Sequence, residues 1–131
     1  MGVSSLPMAA LEYVGDFDKS EYCLTTTFQV DSSLDQIILR NEEFAGVGNA
    51  LVNIDYGDGT FGKEEMHTYS AEGDYTVKFY FEKPITEIDS NAFVSLALKS
   101  IIIPKDVVKI GSLAFSYTNL TSIYFEKDSK L

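Results

Sequence analysis

Alternating apolar and polar positions mark the longest strand that the sequence predicts, residues 73–82. Tyr75, Val77, Phe79 and Phe81 fall on one side of an extended chain, and the residues between them fall on the other. A period of two, rich in aromatic and β-branched residues, is typical of a strand with one buried face. We therefore predict a β-strand here whose aromatic side packs on a core.

A second pattern, with a period of 22 residues, begins after Pro84. Seven apolar positions recur, so that Ile85, Ile88, Ala92, Phe93, Leu98, Ile101 and Ile103 are followed by Val107, Ile110, Ala114, Phe115, Leu120, Ile123 and Phe125. A fixed period in the twenties indicates a solenoid of stacked coils. Within each unit, residues 89–93 and 111–115 suit a single capped helical turn.

The same register extends back into the strand at 73–82. Lys78, Ser100 and Ser122 are 22 residues apart, as are Phe79, Ile101 and Ile123. We therefore expect 75–82, 99–104 and 122–126 to lie side by side and parallel in one sheet. Two coils bury too little apolar surface to fold alone, so the first strand is expected to cap them.

Short strands separated by turns precede this region and predict an antiparallel β-sandwich over residues 21–83. The clearest turn is Gly57-Asp58-Gly59-Thr60, where glycines supply the positive φ that other residues resist. Residues 1–20 have no clear period and are treated as a leader, while residues 84–131 hold the two repeats. The predicted fold is mainly β, with a sandwich whose last strand continues into a short repeat solenoid.

The sandwich region resembles the PKD family, whose members are immunoglobulin-like domains of extracellular and cell-surface proteins. The resemblance lies in residues 54–60, in His67-Thr68-Tyr69 and in residues 73–77. A Trp often precedes the Gly-Asp-Gly turn in that family, and Tyr56 stands there in this chain.

The repeats resemble the BspA-like leucine-rich repeats of bacterial surface proteins. The shared pattern is Ile-x-x-Ile-(Asp/Gly)-Ser-x-Ala-Phe followed by Leu-x-Ser-Ile-x-Ile-Pro. Many such units carry a Cys in the bend between the Phe and the Leu, and these two units have none. Both resemblances imply an extracellular or cell-surface location.

Composition narrows the classes of partner. Twenty acidic and ten basic residues give the 131-residue chain a net charge of −10, which disfavours nucleic acid and anionic membranes. No run of about 18 apolar residues is present, so membrane insertion is not expected. Cys23 is the single cysteine, so no intrachain disulfide forms, and it is expected to be a small buried hydrophobe.

Catalytic and metal-binding chemistry has little support in the sequence. His67 is the single histidine, and its segment favours a structural role over a catalytic one. No nucleophile elbow, phosphate loop or metalloprotease motif is present, so we predict no enzyme and no cofactor. Asp55 and Asp58 are weak candidates for calcium ligands, but turn formation explains Asp58 without a metal, and we predict no metal site.

Interaction is the remaining function, and the repeat sheet is its predicted surface. In the expected register Tyr80, Ile102 and Tyr124 form one row, flanked by polar residues. The flanking positions used in this prediction are Lys78, Ser100 and Ser122. We predict a binding or adhesion module that contacts a protein or a glycan through this row. The alternative is a spacer or assembly subunit of a surface or virion structure without its own ligand. Separately, we expect the open edge at 122–126 either to pair with a second copy or to be continued by further repeats.

Overall fold

A computed structural model describes residues 22–31, 36–39 and 49–131 of the chain. The predicted leader, residues 1–20, lies outside these ranges. The described residues contain ten strands and no α-helix. In chain order the strands are β1 (Cys23–Val30), β2 (Gln36–Ile38), β3 (Leu51–Asp55), β4 (Phe61–Gly62), β5 (Met66–Thr68), β6 (Gly73–Phe81), β7 (Glu87–Ile88), β8 (Leu98–Ile103), β9 (Lys109–Ile110) and β10 (Ser122–Phe125).

Six strands form one sheet in the order β10-β8-β1-β6-β3-β4. β1 is antiparallel to both of its neighbours, β6 and β8, whereas β10 is parallel to β8. Two small pairs complete the described strands: β2 with β5, antiparallel, and β7 with β9, parallel. The fold is therefore mainly β, as predicted.

The position of β1 overturns the prediction that 75–82 and 99–104 are adjacent. Thr26 pairs with Val77 of β6 on one side and with Ile101 of β8 on the other. β6 and β8 run in the same direction, but a strand from the start of the chain separates them. A sequence period predicts the direction of the repeated strands and the face on which their side chains lie. It does not predict that a strand from elsewhere in the chain is inserted between them.

β1 is suited to a central position because its alternate residues are apolar and fully buried. Leu24, Phe28 and Val30 are at most 2% exposed, and the buried Thr26 hydroxyl donates a hydrogen bond to the Val77 carbonyl, 2.8 Å away. Each buried aliphatic or aromatic side chain of this kind contributes about 1.5–3 kcal/mol. β1 is therefore anchored both by its side chains and by backbone pairing along both edges.

The two repeat units, residues 85–106 and 107–128, are joined by backbone hydrogen bonds at several points around the coil. On one side, β10 pairs with β8 so that Ser122 faces Ser100, which is the predicted 22-residue offset. On another, the Gly111 N–H donates to the Ile88 carbonyl at 2.8 Å. In the bend, the Phe93 N–H donates to the carbonyl of Ala114 at 3.0 Å.

The bends themselves are turns, so the prediction of single helical turns at 89–93 and 111–115 is wrong. The Ala92 N–H bonds to the Asp89 carbonyl at 3.0 Å, an interval of three residues. The next donors, those of Phe93 and Ser95, point across to the neighbouring coil instead of back along their own segment. In the first unit, bonding to the second coil thus uses the donors that a helix would need. The second unit is also a turn, in which the N–H groups of Ala114 and Ser116 bond three residues back, to the carbonyls of Gly111 and Leu113. Ser95 adopts a left-handed φ of 66°, and Tyr117, 22 residues later, has a φ of 60°.

One apolar core lies beneath the six-stranded sheet and connects its two halves. The Phe93 ring lies 6.4 Å from Phe28 of β1, 6.5 Å from Phe79 of β6 and 6.1 Å from Phe115 of the second unit. The sheet and the core therefore continue across the predicted boundary at residues 83 and 84. Cys23 is 7% exposed and free of any disulfide, in agreement with the expectation of a buried thiol.

Candidate functional site

The outer face of the six-stranded sheet is the side that points away from the core. Because side chains alternate along each strand, the residues between the buried ones share this face. One line of cross-strand neighbours crosses all six strands, and we call it the outer row. Its members are Tyr124, Ile102, Thr25, Lys78, Asp55 and Phe61.

The outer row is apolar at its ends and charged on one side of its centre. Phe61 is 61% exposed at one end and Tyr124 is 37% exposed at the other, while the residues between them are half-buried. Lys78 of β6 lies directly opposite Asp55 of β3. With strands about 4.8 Å apart, the row is about 24 Å long. It is a strip with an aromatic residue at each end and a pair of opposite charges between them.

The predicted Tyr80-Ile102-Tyr124 ladder is not formed. Tyr80 lies opposite Cys23 of β1, and Ile102 lies between Thr25 and Tyr124. Tyr80 shares the outer face, but it is two strands from Ile102 and two residues further along its own strand. The inserted β1 is the cause, because it shifts β6 out of the register that the 22-residue period implies.

The other predicted residues keep their places on this face. Ser100 and Ser122 are direct neighbours, and Thr27 lies opposite Ser100 on the other side. Lys78 lies in the outer row itself. The Lys99 ammonium reaches Asp74 across β1, with 2.6 Å between Nζ and Oδ2, so an ion pair links β8 to β6 beside these residues.

The sequence prediction missed Thr25, Asp55 and Phe61 as members of the face. A signal existed for two of them, because Asp55 and Phe61 flank the turn at 57–60 and pair across it. The sequence gives no such signal for Thr25, because only the tertiary fold places β1 between β6 and β8.

The turn at 57–60 is held by a hydrogen-bonded cluster around Asp58. Its Oδ2 lies 2.8 Å from Nε2 of His67, and its Oδ1 accepts from the Thr60 hydroxyl at 2.5 Å and from the Thr60 N–H at 3.1 Å. The His67 ring stacks on Tyr56 at 3.9 Å. Partial burial raises the pKa of Asp58, but the hydrogen bonds from Thr60 and His67 outweigh it and hold the pKa of this carboxyl below its usual value.

This cluster does not have the geometry of a catalytic triad. In a triad the acid orients one imidazole nitrogen while the nucleophile contacts the other. Here the Thr60 hydroxyl, at 3.5 Å, and the Asp58 carboxylate both approach Nε2 of His67. The contacts instead tie the turn to β5, which is a structural task.

Hydrogen bonds within the turn also occupy the two carboxylates considered for calcium. Asp55 Oδ1 accepts from the Gly57 N–H at 3.0 Å, and Asp58 accepts from Thr60. Within the described ranges, no group of three His, Cys, Asp or Glu side chains is arranged to hold a metal ion.

Tyr69 continues the aromatic stack into the interior. Its hydroxyl donates to the Tyr56 carbonyl at 2.7 Å, and its ring stacks on Tyr75 at 4.1 Å. Burial, with the nearby Asp58 charge, raises the pKa of the Tyr69 hydroxyl far above its usual value, so it remains a hydrogen-bond donor.

Comparison with protein families matches residues 64–130 to the BspA type leucine rich repeat region (6 copies). The matched segment covers both repeat units and also β5 and β6. No curated protein and no solved structure matches the chain. No helix in the part of the chain that the structure describes is long and apolar enough to cross a membrane.

Proposed function

Since the chain belongs to the BspA-type leucine-rich repeat family, we propose that it is a non-catalytic binding module of a bacterial cell surface or of a secreted protein. This repeat family is generally non-catalytic and is typically found on bacterial surface proteins. The partner class that the outer face fits best is a protein, and a glycan is the competing class.

The observation that carries this proposal is the outer row itself. Exposed aromatic residues are the side chains that most often dominate the energy of protein interfaces. Phe61 and Tyr124 stand at the two ends of this row, about 24 Å apart. The opposed charges of Lys78 and Asp55 give a partner a fixed orientation, because complementary charges specify register more than affinity.

A protein is favoured over a glycan by the shape of this face. Small-molecule and sugar sites are concave and bury most of the ligand. The outer row instead runs along one face of a sheet, with Ser100, Ser122 and Thr27 beside it as small polar groups. Aromatic residues combined with a pair of opposite charges and small polar neighbours are groups that protein interfaces commonly use.

For residues 21–83 we propose a PKD-like domain, on the resemblance described above. The contacts made by the resembling residues support a structural role for them. Asp58 and His67 fasten the turn, and Tyr56 and Tyr69 stack behind it. In this proposal the domain positions β1 and β6 so that β8 and β10 extend the same sheet.

The test is a screen of the full chain against matrix proteins and a glycan array, followed by affinity measurement with the partner it identifies. The double variant Phe61→Ser/Ile102→Ser removes apolar contacts from two separate points of the outer row. We expect it to weaken binding by about 30-fold or more, which corresponds to the loss of one hot spot.

Val52→Ser is the matched control, because Val52 is an exposed apolar residue, 46% accessible, outside the outer row. It is expected to bind as the unsubstituted chain does. Unchanged binding by the double variant, with its fold intact by circular dichroism, would place the contact surface elsewhere. Binding to glycans alone would replace the protein partner with a sugar.

A second candidate function, a spacer or assembly subunit, is favoured by a different observation. The core-facing side of β10 is exposed at Ile123 and Phe125. A failed screen combined with self-assembly of the chain would support this candidate over the binding module.

A further inference from the structure

The end strand β10 presents apolar side chains that the preceding repeat unit buries. Ile101 and Ile103 of β8 are 0% exposed, whereas Ile123 and Phe125, at the same repeat positions, are 42% and 46% exposed. β8 has a strand on each edge, while β10 pairs only with β8 among the described strands. At the outer edge of β10, the backbone therefore has no strand partner among the described strands, and the core-facing side chains of Ile123 and Phe125 are partly exposed.

The charge of this end differs from that of the whole chain. Residues 105–131 contain four lysines and three acidic residues, although the chain carries a net charge of −10. Two of the acidic groups are already engaged: Asp106 pairs with Lys130 at 2.7 Å, and Glu126 accepts from the Lys105 N–H at 2.8 Å. Two copies of this end can approach each other without the repulsion that the rest of the surface produces.

The sequence of β10 is self-complementary in an antiparallel pairing centred on Tyr124. In that register Ile123 of one copy faces Phe125 of the other, and Tyr124 faces Tyr124. Residues directly opposite each other share a face, so both apolar pairs fall on the core side. Glu126 then faces Ser122, so no two like charges are opposed across the strands.

We propose that the chain forms a two-fold symmetric dimer in which β10 pairs with β10 of a second copy. The pairing satisfies the open backbone edge, closes the exposed core of each copy against the other, and joins two six-stranded sheets into one. A symmetric contact of this kind uses the same patch on both copies and stops at two. The interface shares Tyr124 with the outer row, but its apolar contacts come from Ile123 and Phe125, which point to the core side.

The oligomeric state of the full chain, measured by sedimentation equilibrium over a range of concentrations, tests the proposal. A monomer–dimer equilibrium is expected. The double variant Ile123→Lys/Phe125→Lys is expected to be monomeric, because charges that point inward on an edge strand block pairing. Both side chains are already nearly half exposed, so the lysines reach water within the monomer, and circular dichroism checks that the fold is kept.

Val52→Lys is the matched control, since it adds one lysine at an exposed valine of β3, four strands from β10. It is expected to dimerise as the unsubstituted chain does. The outer-row variant Phe61→Ser/Ile102→Ser is also expected to dimerise, which separates this proposal from the proposed function.

Cross-linking tests the register. Tyr124→Cys places two thiols opposite each other, about 5 Å apart between Cα atoms, within the range of a disulfide. Mild oxidation is expected to give a covalent dimer with Tyr124→Cys and none with Ser122→Cys, whose thiol faces Glu126. The unsubstituted chain controls for Cys23, which is buried.

Three results would overturn the proposal. They are a monomer at every concentration, a dimer that persists in the lysine variant, and open-ended growth in place of a dimer. The last would indicate head-to-tail stacking of β10 on the opposite edge of the sheet.

Discussion

Gly111 is one of the points where the second repeat unit touches the first through backbone atoms, and Gly111→Ala is the most informative stability variant. An added Cβ would lie 2.2 Å from the Ser90 Cα and 2.3 Å from the Ser90 nitrogen. Carbon atoms pack at about 3.5–4.0 Å, so the two coils would have to separate by roughly 1.5 Å. The obstructing atoms belong to the backbone, so rotation of a side chain does not relieve the contact.

Two costs follow from that separation. Inserting a methyl group into a packed contact costs about 1–3 kcal/mol. The hydrogen bond from the Gly111 N–H to the Ile88 carbonyl, 2.8 Å long, would be lost and adds about 1 kcal/mol. We therefore expect Gly111→Ala to lower the free energy of unfolding by about 2–4 kcal/mol, a large share of the 5–15 kcal/mol typical of a domain.

Urea unfolding followed by circular dichroism measures this loss. Hydrogen exchange would locate it, with protection reduced first in β9 and β10, where the second unit is held by the first. Ser112→Ala is the control, because Ser112 is the exposed neighbour and its change is expected to stay within about 0.5 kcal/mol. A Gly111→Ala protein as stable as the unsubstituted chain would refute the close contact between coils.

Three further changes probe other parts of the fold. Tyr117→Asn is expected to stabilise the chain by about 0.5–1 kcal/mol in the same assay, because Tyr117 is 88% exposed and has a left-handed φ that asparagine tolerates better, while Ser116→Asn should give no gain. Tyr69→Phe is expected to cost about 1–2 kcal/mol, because the buried hydrogen bond to the Tyr56 carbonyl is lost. Tyr75→Phe removes an exposed hydrogen bond to Ala71 and should cost less; equal losses would contradict the role of burial. Asp58→Asn is expected to lower the free energy of unfolding at neutral pH, because the pKa of the Asp58 carboxyl is lower in the folded chain than in the unfolded chain. Such a group stabilises the fold fully above its unfolded pKa. The stabilisation is lost as the pH falls through the folded pKa. The difference between Asp58→Asn and the unsubstituted chain should therefore begin to shrink near the unfolded pKa of about 3.9 and disappear only below the lowered folded pKa, and a difference that persists in stronger acid would refute this origin.

The features set by local periodicity were predictable from the sequence. The strand at Gly73–Phe81 and the 22-residue offset between Ser100 and Ser122 follow from alternation and repetition. The separation of β6 from β8 by β1 was not predictable from the same data. Their shared direction and face are encoded in the repeat, but β1 enters between them through contacts about 75 residues apart in the chain, such as Thr26 with Ile101.

The candidate site shows the same division. Ile102, Tyr124, Ser100 and Ser122 belong to repeated strands, so their common face was predictable. The misplacement of Tyr80 has one physical cause, the insertion of β1. The prediction of helical turns failed for a different physical reason. The N–H groups of Phe93 and Ser95 bond to the next coil, and a pattern within a single unit contains no information about that coil.

The central place of β1 also sets an order of events during synthesis on the ribosome. β1 emerges first, yet its partner β6 ends 51 residues after Val30, and its second partner, β8, ends later still at Ile103. Strand pairs so distant in sequence form slowly, because the intervening segment loses conformational entropy on closing into a loop before any stabilising contact forms. Until β8 arrives, one edge of an apolar strand is exposed, which is the condition in which nascent chains aggregate. We therefore expect the time for which β1 stays uncovered during translation to affect the yield of folded protein.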